Sequence, residues 1–418
     1  MSPYKRPPEI STLPPEEFVP VIVKYSSAFL VRAGLVEGLA LSLEALARLA
    51  EEILGPWRET IFRHFRLVPA SALRVKVEEL KALEEDPRVE AIWLDKPVYA
   101  LLDVSVPLIR APQVWEKGFT GRGVKVAVVD TGIDYRHPDF AGRILAFTSF
   151  VGGDGQDDHG HGTHVAGIIA GSGEASGGKY RGVAPEALIL SAKVLKANGS
   201  GMMSDAMAGI EWAVEQGAKV INLSLGSPGP CDGTDALSAM CDAAVRAGVV
   251  VCAAAGNDGP DPGTIGSPGC AEEVITVGAS DDNDQVADFS SRGPTADGRT
   301  KPDILFPGVG IVSCRAAGTS MGNPVDDFYT SASGTSMATP HASGVAALLL
   351  QAYPDLTPAQ VKAKMMNSAL NLNQDPNTQG AGRGDALGAL ETEVPQPPKP
   401  RGCLYFLNAL FQKERRKC

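Results

Sequence analysis

No apolar run in this sequence reaches the roughly 18 residues that a membrane-spanning helix needs, so no transmembrane segment is predicted. Cysteines are few and scattered, and no CxxC pair occurs among them, which argues against a zinc site or a dithiol redox motif. Spacing alone does not show which of them pair, and that question stays open. The cysteines are Cys231, Cys241, Cys252, Cys270, Cys314, Cys403 and Cys418.

Basic residues are in the minority, with 38 Lys and Arg against 49 Asp and Glu and a formal net charge of -11. Because nucleic-acid binding relies on positive charge, this excess of acid argues against nucleic acid as a main partner. The first residues, MSPYKRPPEISTLPPEEF, also lack the continuous apolar core of a secretory signal. Taken as written, the sequence predicts an intracellular protein.

A chain of 418 residues can bury a large core and is expected to contain more than one domain. Composition divides it into a disordered extension over residues 1–18, a small α+β module over 19–102, a larger domain over 103–390, and a proline-rich linker with a tail over 391–418. The module reads as strand, helix, strand, helix, strand, which predicts an antiparallel sheet. The tail has two open interpretations, an appendage of the larger domain or a segment that docks on an anionic membrane or a partner.

Apolar runs without polar alternation indicate buried parallel strands in the larger domain. These runs are VKVAVV (124–129), VINLSL (220–225), VVVCAAA (249–255) and VITVGA (274–279). Helical segments lie between them, with Ser204 and Thr357 as expected N-caps. The alternation predicts an α/β sandwich with a mostly parallel central sheet and helices on both faces. In such folds, functional groups gather beyond the carboxyl ends of the strands.

Four polar residues fall at or near that edge of the predicted sheet. Asp130 ends the first strand, His161 precedes a small-residue helix, Asn257 follows a later strand, and Ser336 begins a helix. Each has a purely structural interpretation as a turn residue, a glycine-rich helix start, a left-handed turn residue or a helix cap. His161 and His164 lie three residues apart and could also suggest a metal site, but no cysteine lies nearby and a metal is disfavoured.

Together, the four residues supply the parts of an acyl-transfer site. A serine hydroxyl becomes a nucleophile when a histidine takes its proton, and an aspartate behind the histidine stabilises the imidazolium. The Asn257 side chain and the Ser336 N–H can stabilise the negative charge of a tetrahedral intermediate, because Ser336 begins a helix. We therefore predict Asp130, His161 and Ser336 as catalytic residues and Asn257 as an oxyanion-hole donor.

The motifs VVDTGID, HGTHVAG, AAAGN and GTSMATPH, in this order, resemble those of the subtilisin-like serine protease family. The resemblance covers about residues 103–390 and includes GAGRGDA from residue 380. It implies a subtilisin-like three-layer sandwich, a serine endopeptidase acting on polypeptides, and no cofactor for the chemistry. A monomer is expected. Family members are commonly exported, which sets the resemblance against the intracellular prediction and leaves the compartment open.

Two other functions are alternatives to an endopeptidase. One is a catalytically silent peptide-binding protein, which the complete Asp130, His161 and Ser336 set disfavours. The other is an esterase or amidase with the same triad. The resemblance favours polypeptide substrates, because Ser224, Leu225 and Gly226 in NLSLG match the family's strand that pairs with the substrate backbone.

Gly266 in TIGSPG matches the family position at the base of the pocket for the residue before the cleaved bond. With no side chain there, the pocket is expected to admit large apolar residues. A simple turn ahead of Pro268 is an equal alternative.

From the resemblance, residues 19–102 are interpreted as an inhibitory propeptide and folding chaperone with a βαββαβ-like order. The stretch DVSVP resembles the start of the mature family domain. This predicts self-cleavage between Leu102 and Asp103 and places residues 99–102 in the substrate groove. The alternative is that residues 97–107 form only an interdomain linker.

Asp139 in RHPDF matches a family position that often ligates structural calcium. Its companion loop, GSGEASGGKYRG, has Gly and Ser where oxygen-bearing Asn side chains are expected, so at most a weak calcium site is predicted. The acidic stretches GGDGQDD and SDDNDQVAD are either further calcium ligands or, as is usual for charged loops, solvated.

Overall fold

The structure is a computed structural model that describes residues 14–26, 43–65, 70–94 and 104–393. The chain divides into two compact units, residues 1–99 and 100–418. The predicted cleavage site at Leu102 and Asp103 and the tail after residue 393 lie outside the described residues. Within the described ranges, no helix has the length and apolar character needed to cross a membrane.

The first unit is built on a four-stranded antiparallel sheet with the order β2-β3-β1-β4. Val19, Val21 and Val23 alternate along β1 towards a buried face and pack with residues of the first helix. The α+β class agrees with the sequence prediction, and the short strand β2, which the strand-by-strand order lacked, completes the βαββαβ-like order that the resemblance implied. The elements are β1 (Phe18–Tyr25), α1 (Leu43–Leu54), β2 (Ile61–Phe65), β3 (Ala70–Lys76), α2 (Leu80–Glu85) and β4 (Val89–Leu94).

This unit begins earlier than the predicted boundary at residue 19. The backbone N–H of Val77 donates to Glu17 O at 3.0 Å, and that of Glu78 donates to Pro15 O at 3.0 Å. Residues 14–18, assigned from composition to a disordered extension, are therefore held to the end of β3 by backbone hydrogen bonds.

The second unit contains a seven-stranded parallel sheet with the order β11-β10-β9-β8-β5-β7-β6 and a three-stranded sheet with the order β12-β14-β13. Its strands are β5 (Lys125–Asp130), β6 (Ile144–Ser149), β7 (Leu188–Lys193), β8 (Val220–Leu223), β9 (Val250–Ala254), β10 (Ile275–Ser280), β11 (Ile304–Pro307), β12 (Ile311–Cys314), β13 (Asn323–Pro324) and β14 (Tyr329–Ala332). Its helices are α3 (Ser105–Leu108), α4 (Ala111–Glu116), α5 (His161–Ala170), α6 (Met203–Glu215), α7 (Ala236–Arg246), α8 (Thr335–Ala352), α9 (Pro358–Asn367), α10 (Pro376–Gln379) and α11 (Ala386–Glu391).

Helices cover both faces of the seven-stranded sheet. Val126 and Val128 of β5 join a core cluster with residues of α5 and α8, whereas Ala127 and Val129 join a second cluster with residues of α6 and α7. Successive residues of one strand thus face opposite helical layers, as the period of two requires. The predicted three-layer α/β sandwich is confirmed.

The two predicted helix caps have different outcomes. Thr357 is the N-cap of α9 and accepts from Gln360 N, as expected. The prediction for Ser204 is wrong, because α6 begins at Met203 and Met202 is its N-cap. There the carboxylate of Asp205, the third residue of the helix, accepts from the Met202 backbone N–H at 3.3 Å, as the third residue of a capping box does.

Candidate active site

A cleft of about 700 Å³ lies at the carboxyl ends of the strands of the seven-stranded sheet. His161, Asn257 and Ser336 line it, although they are far apart in the chain. Asp130, the last residue of β5, lies fully buried behind His161. The fold thus brings together all four polar residues that the sequence predicted at this edge.

Asp130 and His161 form a direct pair. His161 Nδ1 donates to Asp130 Oδ1 at 2.7 Å, and the Thr131 N–H donates to the same oxygen at 2.7 Å. Since a carboxylate can only accept, this bond places the proton of the neutral ring on Nδ1 and leaves Nε2 as the basic nitrogen.

The electrostatic environment favours the charged form of His161. Burial lowers the pKa of His161, but the charge of Asp130 and its hydrogen bond raise it, with a further contribution from Asp157. The pKa ends above the ordinary value of 6.5. Asp130 therefore stabilises the imidazolium that forms when His161 accepts a proton.

Close backbone approach brings the start of α5 against the end of β5. A Cβ atom on Gly162 would lie 2.2 Å from Gly132 O and 3.2 Å from Asp130 Cβ. Only glycine at position 162 allows His161 to reach Asp130 in this geometry.

Asp157, in the acidic stretch that precedes α5, is buried rather than solvated. Its Oδ1 accepts from Thr131 Oγ1, His159 N and Gly160 N, and its Oδ2 accepts from the backbone and hydroxyl of Thr163. These bonds fix the loop that delivers His161 to the cleft. Sequence reasoning missed this role, because an acidic run is more often a solvated loop.

His164 does not belong to the site. Burial lowers its pKa to about 3, and the ring Nε2 bonds the carbonyls of Ile311 and Thr330 at 3.0 and 3.1 Å. Those contacts make it a neutral core histidine, which disfavours a metal shared by His161 and His164.

Ser336 is the second residue of α8, and its hydroxyl is joined to Ser224. Ser336 Oγ donates to Ser224 O at 3.0 Å, while Ser224 Oγ donates to Ser336 O at 2.8 Å. Among the described residues, no hydrogen bond joins Ser336 Oγ to His161. Because the two side chains line the same cleft, rotation about the Ser336 Cα–Cβ bond is the movement that can change the partner of the hydroxyl.

Asn257 follows β9 and is oriented by Thr335. Its Oδ1 accepts from Thr335 N at 2.9 Å and from Thr335 Oγ1 at 3.0 Å. With Oδ1 occupied, the Nδ2 amide is left as the donor on the other side of the side chain. The Ser336 N–H lies in the first turn of α8, where backbone N–H groups have no acceptor within the helix. It is therefore available as a second donor. Sequence reasoning missed Thr335, although it lies within the GTSMATPH motif.

Two adjacent backbone segments line the cleft beside Ser336. Ser224, Leu225 and Gly226 belong to one segment, and Gly266 belongs to the other. A Cβ atom on Gly266 would lie 2.2 Å from Ser227 O, so glycine is required there by the approach of the two backbones. The close contact explains why position 266 is a glycine. It adds to the two explanations that the sequence left open, a pocket base and a turn.

A disulfide joins Cys231 to Cys270, with a Cα–Cα distance of 6.0 Å. The pairing could not be read from the sequence. Cys241, Cys252 and Cys314 are buried and free.

The surroundings of Asp139 do not fit a calcium ion. Its two carboxylate oxygens accept from the N–H groups of Gly173 and Ala175 and from the hydroxyl of Tyr329. Calcium takes six to eight oxygen ligands, whereas these groups present hydrogens to the carboxylate. His137 and Cys314 also lie beside Asp139. His137 bonds Asp139 N and Phe328 O, so both of its ring nitrogens are already occupied.

The sequence and the structure are similar to those of known proteases. The Subtilase family profile matches residues 121–382. The chain is 45% identical to Serine protease AprX of Bacillus subtilis over 340 residues, which cover 75% of this chain and 76% of that protein. It is 40% identical to Subtilisin E of the same organism, over 74% of this chain and 78% of that protein.

A solved structure shares the fold. The crystal structure of a cold adapted subtilisin-like serine proteinase aligns with a TM-score of 0.54 at 35% identity, covering 66% of this chain and 91% of that chain. With a family profile that matches more than half of the residues and relatives at 40% identity or above, the chain belongs to the subtilase family and is a serine endopeptidase that acts on polypeptides.

Proposed function

We propose that Asp130, His161 and Ser336 are the catalytic triad of this endopeptidase, with Asn257 and the Ser336 N–H as the oxyanion hole. The observation that carries the proposal is the 2.7 Å bond between His161 Nδ1 and Asp130 Oδ1, behind the cleft that Ser336 lines. An aspartate paired with a histidine, and a helix-terminal serine in the same cleft, supply the groups that nucleophilic acyl transfer needs.

In the acylation step, Ser336 Oγ leaves Ser224 O and passes its proton to His161 Nε2 as it attacks the substrate carbonyl carbon. The resulting oxyanion accepts hydrogen bonds from Asn257 Nδ2 and from the Ser336 N–H. The intermediate then expels the amine, which takes the proton from His161. The acyl group stays on Ser336 until water, deprotonated by His161, releases the second product.

Substrates are proposed to bind as extended peptides along Ser224, Leu225 and Gly226. Main-chain pairing at such an edge is independent of side chains and supports broad specificity. The lining of the cleft includes small or apolar residues, among them Leu225, Ala254, Ala255 and Gly266. This lining supports a preference for large apolar residues before the cleaved bond.

The chain is further proposed to be a zymogen whose residues 19–102 are removed by cleavage between Leu102 and Asp103. The support is that residues 1–99 form a compact unit of their own, with a separate core that includes Val21, Leu54 and Leu73. A unit with its own core can fold as a propeptide and be released after one cut.

The intact mass of the purified wild type, beside Ser336→Ala, tests both proposals. During incubation at neutral pH, the wild type is expected to yield fragments ending at Leu102 and beginning at Asp103, and Ser336→Ala is expected to stay whole. Equal melting temperatures of the uncut proteins serve as the folding control. Casein hydrolysis without a cut would remove the zymogen proposal alone, whereas an active Ser336→Ala variant would remove the triad.

A further inference from the structure

One wall of the cleft contributes only the partly buried Cys231 to an apolar cluster. This wall, residues 226–234 (GSPGPCDGT), contains no fully buried residue and no helix or strand. The adjacent segment, residues 265–271, is buried throughout. A wall with so small a core contribution depends largely on polar and covalent links for its position.

The Cys231–Cys270 disulfide joins this wall to the buried segment. Cys270 is fully buried, and its backbone N–H donates to Gly266 O at 3.0 Å. Cys231 lies three residues after Pro228, which lines the cleft. The disulfide therefore joins the two segments, residues 226–234 and 265–271, that line the cleft.

Three further hydrogen bonds hold residues 226–234 to the rest of the described chain. Ser227 N donates to Ser267 O at 2.8 Å, the carbonyl of Cys231 accepts from Ala296 N at 2.9 Å, and the carbonyl of Asp232 accepts from the Arg299 guanidinium at 2.7 Å. On the buried side, Ser267 Oγ donates to Asp235 Oδ1 at 2.8 Å, which ties the segment to the start of α7. The buried segment is thus anchored independently, and the disulfide is the covalent restraint on the exposed wall.

The two segments are in direct backbone contact. A Cβ atom on Gly226 would lie 2.5 Å from Ser267 O, and one on Gly266 would lie 2.2 Å from Ser227 O. Because this contact leaves no free space between the segments, a shift of residues 226–234 away from residues 265–271 changes the shape of the cleft that both segments line.

We propose that the Cys231–Cys270 disulfide is a positioning element that determines the substrate selectivity of this pocket and makes it sensitive to dithiol reductants. This inference rests on the proposed function, because it concerns the residue before the cleaved bond. With the disulfide intact, the wall is held and a large apolar side chain is preferred. With the disulfide reduced, the wall moves and the preference for that side chain weakens.

Reduction follows ordinary thiol–disulfide exchange. Cys231 is partly exposed, so a thiolate of the dithiol attacks its sulfur, the S–S bond breaks, and Cys270 leaves as a thiolate. The second thiol of the reductant then displaces Cys231 and closes a cyclic disulfide. The protein gains two electrons and two protons, and the dithiol loses them.

The test compares peptide substrates that differ only in Phe or Ala before the cleaved bond. The kcat/KM ratio of Phe to Ala is measured for oxidised wild type, wild type in dithiothreitol, and the Cys231→Ala/Cys270→Ala variant. Cys241→Ala, which removes a buried free cysteine, is the matched control. Differential alkylation reports whether the disulfide is open.

Opening the disulfide is expected to lower the Phe to Ala ratio about tenfold, mainly through a higher KM, because pocket contacts contribute binding to ground and transition states alike. Dithiothreitol should leave the Phe to Ala ratio of the double variant unchanged. It should change the ratio of Cys241→Ala by the same factor as that of wild type. If the double variant does not fold, reduced wild type still gives the answer.

The inference would be overturned if alkylation shows that the disulfide is open and the Phe to Ala ratio of kcat/KM still changes by less than about twofold. That result would leave the proposed function intact. Inactivity of the oxidised wild type on every peptide would overturn the proposed function, and this inference with it.

Discussion

Thr335 donates both its backbone N–H and its hydroxyl to Oδ1 of Asn257, at 2.9 and 3.0 Å. This pair of bonds decides which face of the Asn257 amide is turned towards the neighbouring Ser336. Because Thr335 is the first residue of α8, the same helix start that presents the proposed nucleophile also orients the proposed oxyanion donor.

Replacing Thr335 by Val is expected to lower kcat about tenfold with little change in KM, since it removes one of the two bonds that orient Asn257. Thr335→Ser retains the hydroxyl and should keep most of the activity. Asn257→Ala should cost more, about 10²–10³ in kcat, a figure taken from subtilisin rather than derived from this chain. Steady-state kinetics on one peptide compares the three variants. If Thr335→Val and Thr335→Ser lose equal amounts of kcat, the hydroxyl bond to Asn257 does not contribute.

The acid limb of the pH profile should report His161. Only the neutral ring can take the Ser336 proton, so kcat/KM should fall as the pH drops through the raised pKa of His161, with a midpoint above 6.5. Asp130→Asn removes the main cause of the raised pKa. The midpoint should then fall, and kcat should drop about 10⁴-fold, as in other serine proteases with this triad. An unchanged midpoint in Asp130→Asn would contradict the assignment.

The same pKa makes a stability prediction with a defined sign. Because the folded pKa of His161 lies above its unfolded value, the charged pair with Asp130 contributes stability that is complete below pH 6.5. That contribution is lost as the pH rises through the folded pKa. The measurement is the free energy of unfolding in urea, from pH 6 to 9, of Ser336→Ala and of Ser336→Ala/His161→Gln. The difference between the two variants gives the contribution of His161. A difference between the two that does not shrink with rising pH would be inconsistent with the pair.

Gly162→Ala is expected to lower kcat/KM by about 10²-fold, since a displacement of about 1 Å at a catalytic group can cost that much. The new Cβ would meet Gly132 O at 2.2 Å and push His161 away from Asp130. Urea unfolding of Gly162→Ala beside wild type separates this local displacement from a general loss of folding. Full activity in Gly162→Ala would show that the contact of α5 with β5 is more adaptable than the structure indicates.

A chelator should leave the melting temperature unchanged, because protein donors already occupy the Asp139 carboxylate. Asp139→Asn replaces a charged acceptor facing several buried donors and should lower the free energy of unfolding by about 3 kcal/mol. Thermal scans with and without EDTA, and urea unfolding of the variant, measure the two effects. A fall in melting temperature that calcium restores and magnesium does not would refute the first expectation.

Local patterns determined the architecture of the larger domain and the position of its chemistry. Apolar runs such as VKVAVV are buried on both faces only in a covered parallel sheet, which is why the sandwich was predictable. The residues that follow those strands, Asp130 and Asn257, were predictable for the same reason. The local pattern missed the short strand β2, because its 5 residues, IFRHF, show no apolar–polar alternation.

Interactions between distant residues were decided by the tertiary structure. No local pattern predicts three of these features. They are the burial of Asp157, the bond from Thr335 to Asn257 and the pairing of Cys231 with Cys270. The hydrogen bonds that surround Asp139 come from a loop more than 30 residues away and from Tyr329. The sequence by itself determined which elements form and which residue types stand at their ends. Which donor reaches which acceptor depended on the packing of those elements, because a hydrogen bond or a disulfide is set by distances that only the folded chain defines.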